Sequence, residues 1–207
     1  MHRDSALITF VLDESGSMGG IARSAREGFN EYLQEQIKGE GQTWWTLTTF
    51  NSRAWTRFAV IPGEEVRPLG DDYSPNGMTA LYDAVGNSMI KTRAFLDSLD
   101  QDDRPQDVII VILTDGMENS SRTWDLRQVA RLIADAEEDG WQFVFLGANL
   151  DSRAAAYDMG MRKAAVVDWD SDEARSHKRA MWEASEASKD YRTTKRQQTR
   201  YRDRRDV

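Results

Sequence analysis

The chain has 207 residues, 40% of them hydrophobic and 30% charged, with no Cys, two His and a formal net charge of −8. This length and composition suit one soluble globular domain, or one with an extension, exclude disulfide stapling, and leave zinc, copper and iron–sulfur chemistry without thiolate or imidazole ligands. No apolar run approaches the roughly 18 residues of a membrane span, and no hydrophobic signal segment follows Met1, so a cytoplasmic protein is expected.

Residues 6–12, Ala-Leu-Ile-Thr-Phe-Val-Leu, read as a short, fully buried strand. The strand runs into Asp13-Glu-Ser15-Gly-Ser17-Met-Gly-Gly20, a carboxylate followed by two hydroxyls at alternate positions, where a strand hands over to a helix. In an open α/β sheet, ligands gather at the carboxyl ends of strands. Residues 21–38 then repeat Ile21, Ala25, Phe29, Tyr32, Leu33 and Ile37 with a helical period, and Gly39 and Gly41 stop the helix. Residues 44–50 and 54–61 are aromatic and β-branched and are joined by Asn51-Ser-Arg53, which predicts a hairpin and hence one antiparallel edge strand. Trp44 and Trp45 are possible stacking residues, but the preference of aromatic side chains for strands favours packing.

Residues 62–75 carry Gly, Pro and Asp without a period and read as a loop, in which Glu64, Glu65, Asp71 and Asp72 are expected to be solvated. Asn76-Gly-Met-Thr79 follows, a glycine turn before a helix over residues 80–99 with Leu81, Val85, Met89 and Leu96 on one side. The Thr79 hydroxyl is thereby set near a helix start. Asp83, one turn on, lies either near the same place or on exposed helix surface. After Pro105, residues 107–114 form a second buried strand ending in Thr114-Asp115-Gly116. If both buried strands are central and parallel, Asp13 and Asp115 converge.

A polar loop over 117–121 includes Glu118, read as solvated, and is followed by a helix over 124–138 and a strand over 141–147. Asn149 and Asp151 form a turn and cap the helix at 154–159, and residues 164–167 give a last short strand. The alternation predicts an α/β protein with a Rossmann-like, doubly wound, mostly parallel sheet and one antiparallel edge strand. Beyond Asp168 the composition changes. Residues 171–207 hold eleven Lys or Arg against seven Asp or Glu, a net of +4 against −12 for the first 170 residues. The chain is therefore divided into a body, 1–168, and a basic C-terminal helical extension, 169–207. Met181, Ala184, Ala187 and Tyr191 make a thin apolar stripe on the extension, and residues 200–205 are expected to be disordered in isolation. The extension reads as a solvated tail; a grip on nucleic acid is less favoured, because aromatic residues are too sparse to stack bases.

A carboxylate with neutral hydroxyls is a hard oxygen site, suited to Mg²⁺, or to Mn²⁺ or Ca²⁺, and poor for softer ions. Each residue also admits a plainer role: serines after a strand cap the next helix, Thr79 is an N-cap, and Asp115-Gly116 is a turn. Taken together, Asp13-x-Ser15-x-Ser17, Thr79 and Asp115 resemble the metal-ion-dependent adhesion site of von Willebrand factor type A domains, over roughly residues 5–168. The resemblance implies that Ser15, Ser17 and Thr79 approach the metal, that Asp13 and Asp115 supply charge directly or through water, and that a partner protein's carboxylate completes the shell. The segment from Leu146 to Asp151 is similar to small stand-alone bacterial and bacteriophage members.

The expected function is that of a metal-dependent adaptor or assembly module without turnover. Other members of the family work beside AAA-type ATPases, which makes such a system one candidate partner. An alternative is a structural oligomer of a phage or bacterial assembly, with the basic tail reaching a neighbour's acidic body. A further alternative is a phosphatase of the haloacid dehalogenase type, which also places an Asp after its first strand. Such an enzyme needs a second acid two residues on, where this chain has Ser15.

Overall fold

The computed structural model describes residues 5–148, 152–162, 164–169 and 174–203, so the turn and cap expected at Asn149 and Asp151 lie outside the described residues. In chain order the elements are β1 (Ala6–Asp13), α1 (Ala22–Lys38), β2 (Thr43–Phe50), β3 (Ala54–Pro62), α2 (Leu81–Asp97), β4 (Asp107–Thr114), α3 (Leu126–Glu138), β5 (Gln142–Ala148), α4 (Ser152–Asp158), β6 (Ala165–Trp169) and α5 (Ala174–Asp203). A 3₁₀ turn over Gly16–Ile21 links β1 to α1.

The six strands form one sheet in the order β3-β2-β1-β4-β5-β6. All pairings are parallel except β2 with β3, the expected hairpin. The chain winds outward from β1 in one direction through β2 and in the other through β4, so the winding reverses between these two central strands. That is the place where an open α/β sheet leaves a crevice at its carboxyl end.

β1 and β4 are buried at every position, which is why both read as unbroken apolar runs. Alternate residues serve opposite faces. Ile8, Phe10 and Leu12 join Phe29 and Tyr32 of α1 in one core, while Leu7 and Val11 join Val85 and Met89 of α2 and Val129 of α3 in the other. Phe10, Phe29, Tyr32 and Trp45 meet edge to face, with centroids 5.1 Å (Phe10–Phe29) to 6.2 Å (Phe29–Trp45) apart. Trp45 is thus a core residue, and half-buried Trp44 packs against the opposite face; neither offers a stacking platform.

α3 starts later than the apolar period alone suggests. Asp125 accepts from the Gln128 backbone N–H at 2.9 Å, and the Gln128 side chain accepts from the Asp125 N–H at 3.0 Å, a capping box that sets Leu126 as the first helical residue.

The reading of the C-terminal extension as a solvated tail gives way to a docked helix. Ala180, Met181 and Ala184 of α5 are buried with α1 and the sheet, and Tyr191 packs against the same core. A polar seam runs beside them. The Tyr32 hydroxyl meets Ser188 Oγ at 2.7 Å, and Gln36 Nε2 donates to the carbonyl and hydroxyl of Ser185 at 3.0 Å each. Arg192 donates to Gln36 O at 3.2 Å, Gln36 Oε1 at 3.0 Å and Glu40 O at 2.7 Å. Small residues at Ala180, Ala184 and Ser188, four apart, let α5 approach α1 closely. Because part of the contact is polar, the apolar stripe looks thin in the sequence. The helix continues through Asp203, into the stretch expected to be disordered. Among the described residues no helix is long and apolar enough to cross a membrane.

Arg192 satisfies buried acceptors of Gln36 and the Glu40 carbonyl just past α1, so Arg192→Ala is expected to cost about 2 kcal/mol. The cost should appear as a lower urea midpoint with an unchanged m-value.

Candidate metal centre

β1 and β4 lie in register with Leu12 opposite Leu113, which brings Asp13 level with Thr114. Thr114 Oγ1 donates to Asp13 Oδ2 at 2.6 Å, and the Ser15 backbone N–H donates to Oδ1 at 2.7 Å. Asp13 is completely buried. Burial pushes its carboxyl up to about 6, against the opposing effect of the Thr114 and Ser15 bonds; the neighbouring Asp115 charge adds to the rise. Asp115, half-buried just past β4, is also held above the usual carboxylate range by burial, partly offset by a hydrogen bond from Ser17.

The hydroxyls gather beside these two acids. Ser15 Oγ and Ser17 Oγ are 3.1 Å apart, and Ser17 Oγ donates to Asp115 Oδ1 at 2.7 Å. A Cβ placed on Gly116 would lie 3.3 Å from both Ser17 Oγ and Thr79 Oγ1, so Thr79 faces the same spot across Gly116. All five residues expected from the sequence are therefore brought together, at the carboxyl ends of β1 and β4 and at the start of α2. The plainer capping roles do not describe the hydroxyl residues, although the chain does bend at Asp115-Gly116. Ser15 is the residue before the 3₁₀ turn but makes no side-chain cap bond, α1 is preceded by Ile21, and α2 is preceded by Ala80, also without a side-chain cap bond.

A second layer holds this arrangement. The Gly16 N–H donates to Gly77 O at 3.1 Å and the Asn76 N–H to Glu14 O at 2.9 Å, lacing the Ser15 loop to the loop that carries Thr79. Gly77 has φ +77°, and a side chain there would also strike Ser52. The Tyr73 hydroxyl donates to Asp13 O at 2.5 Å. The Thr79 N–H donates to Asn119 Oδ1 at 2.8 Å, and the Asn119 N–H returns to Thr79 O at 3.0 Å.

Glu14, between the two motif residues, is buried and points into a separate ion-pair cluster. Arg57 Nη2 donates to both of its oxygens at 3.0 Å, and the Ser74 N–H donates to Oε1 at 2.8 Å. Arg57 Nη1 also reaches Asp72 Oδ2 at 2.5 Å. Glu64, Glu65, Asp71 and Asp72 are all exposed as expected, and Asp71 and Asp72 in addition pair with Arg26 and Arg57, which ties the 62–75 loop to the body. Two other acids near the centre serve the backbone. Glu118 accepts from the N–H groups of Tyr82, Ser120 and Ser121, and Asp83 accepts from those of Arg122, Thr123 and Trp124. These bonds order the segment leading into α3, a role that neither the solvated nor the site reading assigned them.

Thr114, Tyr73, Glu14, Arg57 and Asn119 are the residues that sequence reasoning did not place at the centre. Thr114 alone carried a local signal, being the last residue of a buried strand whose neighbour ends in Asp13. Arg57 lies 43 residues from Glu14, and no spacing announces that pair.

The donor set fits a hard divalent cation: Ser15, Ser17 and Thr79 offer neutral oxygens, and Asp13 and Asp115 offer two carboxylates in a partly dry setting. Among the described residues no three or more His, Cys, Asp or Glu are grouped so that they could hold a metal ion, so this mixed set is the candidate.

Removing the Arg57 guanidinium would strand the Glu14 carboxylate in the interior. Arg57→Met is expected to cost about 3 kcal/mol in urea unfolding, and adding Glu14→Gln should recover part of it by removing the stranded charge.

The sequence matches no protein-family model and no curated protein. Solved structures do match. Proximal thread matrix protein 1 from the mussel byssus, with a zinc-occupied metal-ion-dependent adhesion motif, aligns with TM-score 0.61 and 16% identity over 89% of this chain and 46% of that one. A von Willebrand factor type A protein from Catenulispora acidiphila gives TM-score 0.58 and 14% identity over 92% of this chain and 42% of that one. The pilus adhesin SpaC of Lactobacillus rhamnosus GG, in an open conformation, gives 0.62 and 14% over 89% and 30%. This chain spans less than half the length of each of the three. At these identities the likeness speaks for architecture alone: the chain has the von Willebrand factor type A fold.

Proposed function

We propose that this protein is a metal-dependent protein-binding module, which captures an Asp or Glu side chain of a partner on a divalent cation held by Ser15, Ser17, Thr79, Asp13 and Asp115. The observation that carries the reading is the meeting of three hydroxyls with two carboxylates at the reversal point of the sheet, where Ser17 and Gly16 are exposed while Asp13 is sealed beneath them. Bound there, the cation supplies a positive charge whose nearest contacts include neutral oxygens. The protein's part is to hold those oxygens in place and to keep the acids partly dry. An incoming carboxylate then gains a charge-assisted bond in a setting where charge is poorly screened. Mg²⁺ is the proposed ion, with Mn²⁺ or Ca²⁺ as alternatives, since hydroxyl-rich oxygen ligation suits hard cations.

The reading involves no chemical turnover. Both oxygens of Asp13 are engaged and the residue is buried, which does not suit a nucleophile, and the position two residues on is Ser15 rather than an acid. Related folds occur in a pilus adhesin and a byssal matrix protein, in keeping with a binding role. An assembly role rests on the charge split between body and extension; Lys189 already meets Glu35 of the same chain at 2.8 Å, which answers part of that charge internally. The proposed setting is the cytoplasm, that of the host if the protein is phage-encoded, and an AAA-type ATPase system is the proposed kind of partner machinery.

The test is affinity capture from host lysate with Mg²⁺ or with EDTA, using wild type beside Ser15→Ala/Ser17→Ala. Retention of a partner only with metal and intact serines is expected, and Mg²⁺ should raise the melting temperature of wild type alone. Equal capture by a folded double variant would sink the proposal, and release of phosphate from an aryl phosphate, lost in Asp13→Asn, would revive the phosphatase.

A further inference from the structure

The chain has eight methionines, seven of them among the described residues. Five of these are buried, including Met18, which lies between Ser17 and Gly19 yet turns into the core. The two that stay in solvent are Met78, 51% exposed, and Met117, 80% exposed. Both belong to the candidate metal centre: Met78 directly precedes Thr79, and Met117 is two residues past Asp115. They come from separate loops that the fold ties together, since Gly116 lies against the Thr79 hydroxyl and Asn119 is doubly hydrogen-bonded to the Thr79 backbone. The loops around the centre carry small residues that lie against one another, Gly16 against Gly77 and Gly116 against Ser17.

Apolar side chains stand scattered in solvent on any protein, but two exposed ones in the loops that carry Thr79 and Asp115 ask for a partner. Thioether side chains are unbranched and polarisable, so they mould to differing aliphatic and aromatic surfaces. The small residues let a peptide backbone approach, and these two loops each contribute a methionine. In an extended segment, residues two apart face the same way, with successive residues rising about 3.3 Å. We infer that the centre recognises an extended partner segment in which an aliphatic or aromatic residue lies two positions from the metal-seeking Asp or Glu, with Met78 and Met117 supplying the apolar contact. The inference rests on the metal-dependent binding proposed above and adds the chemistry of the segment bound.

The experiment is selection from displayed random peptides with a fixed central Asp, and from a matched library with a fixed central Asn, with Mg²⁺ or with EDTA. Wild type is compared with Met78→Ser/Met117→Ser, whose folding is checked by circular dichroism. Wild type should enrich Asp peptides with an apolar residue two positions away, only with Mg²⁺. The double variant should still prefer Asp over Asn with Mg²⁺ but lose the apolar preference and bind the selected peptides about tenfold more weakly, the scale of two partly buried methionine side chains. Metal-dependent capture of Asp peptides without the apolar preference, or with a preference unchanged in the variant, would overturn this inference and leave the binding reading standing. No preference for Asp over Asn in Mg²⁺ would overturn both.

Discussion

A carboxylate sealed at the end of a central strand, with no basic side chain paired to it among the described residues, is the constraint on which this end of the molecule depends. Asp13 receives one hydroxyl and one backbone N–H, and Asp115, a second acid, lies close enough to raise its pKa further. The nearby arginine, Arg57, is committed to Glu14 and Asp72. Burying an ion in this way costs several kcal/mol even after relaxation, and a divalent cation would offset it. The surrounding structure holds the group in place regardless: β1 and β4 are buried along their whole length, and the loops after β1 and before α2 are laced to each other.

Glu14 shows how closely the two demands are interleaved. Its neighbours Asp13 and Ser15 face the centre, and it faces the other way, into an ion-pair cluster that ties β3 and the 70–77 loop to the end of β1. The same three residues thus supply donors on one side and an anchor on the other. Glu118 and Asp83 act similarly at the far border, where they collect backbone N–H groups and order the segment between β4 and α3. Acids around the centre divide into those that face it and those that build the loops around it. Only the three-dimensional arrangement separates the two kinds.

α5 completes one layer of the fold. Without it the α1 face carrying Tyr32 and Gln36 would be open; with it, their polar groups are paired and Ala180, Met181 and Ala184 fill the remaining space. Its composition disguised this. A helix that docks through serines, alanines and one arginine has little apolar periodicity to announce it, although Ser185, Ser188 and Arg192 each find a partner on α1.

The sequence by itself determined the strands, the helices, the parallel sheet with its antiparallel edge, and the five residues of the candidate centre. Apolar runs of strand length leave few alternatives to a buried parallel strand, and acids directly after two such strands have to emerge at the same end of the sheet. The order of the strands, the pairing of Arg57 with Glu14, the strap from Asn119 to Thr79, the burial of Met18 beside the exposure of Met78 and Met117, and the docking of α5 were decided only by the tertiary structure. The physical reason is range. Periodicity and end signals act within a few residues and can be read along the chain, whereas each of those contacts joins segments far apart in sequence, whose meeting depends on how the whole sheet and its two helical layers close.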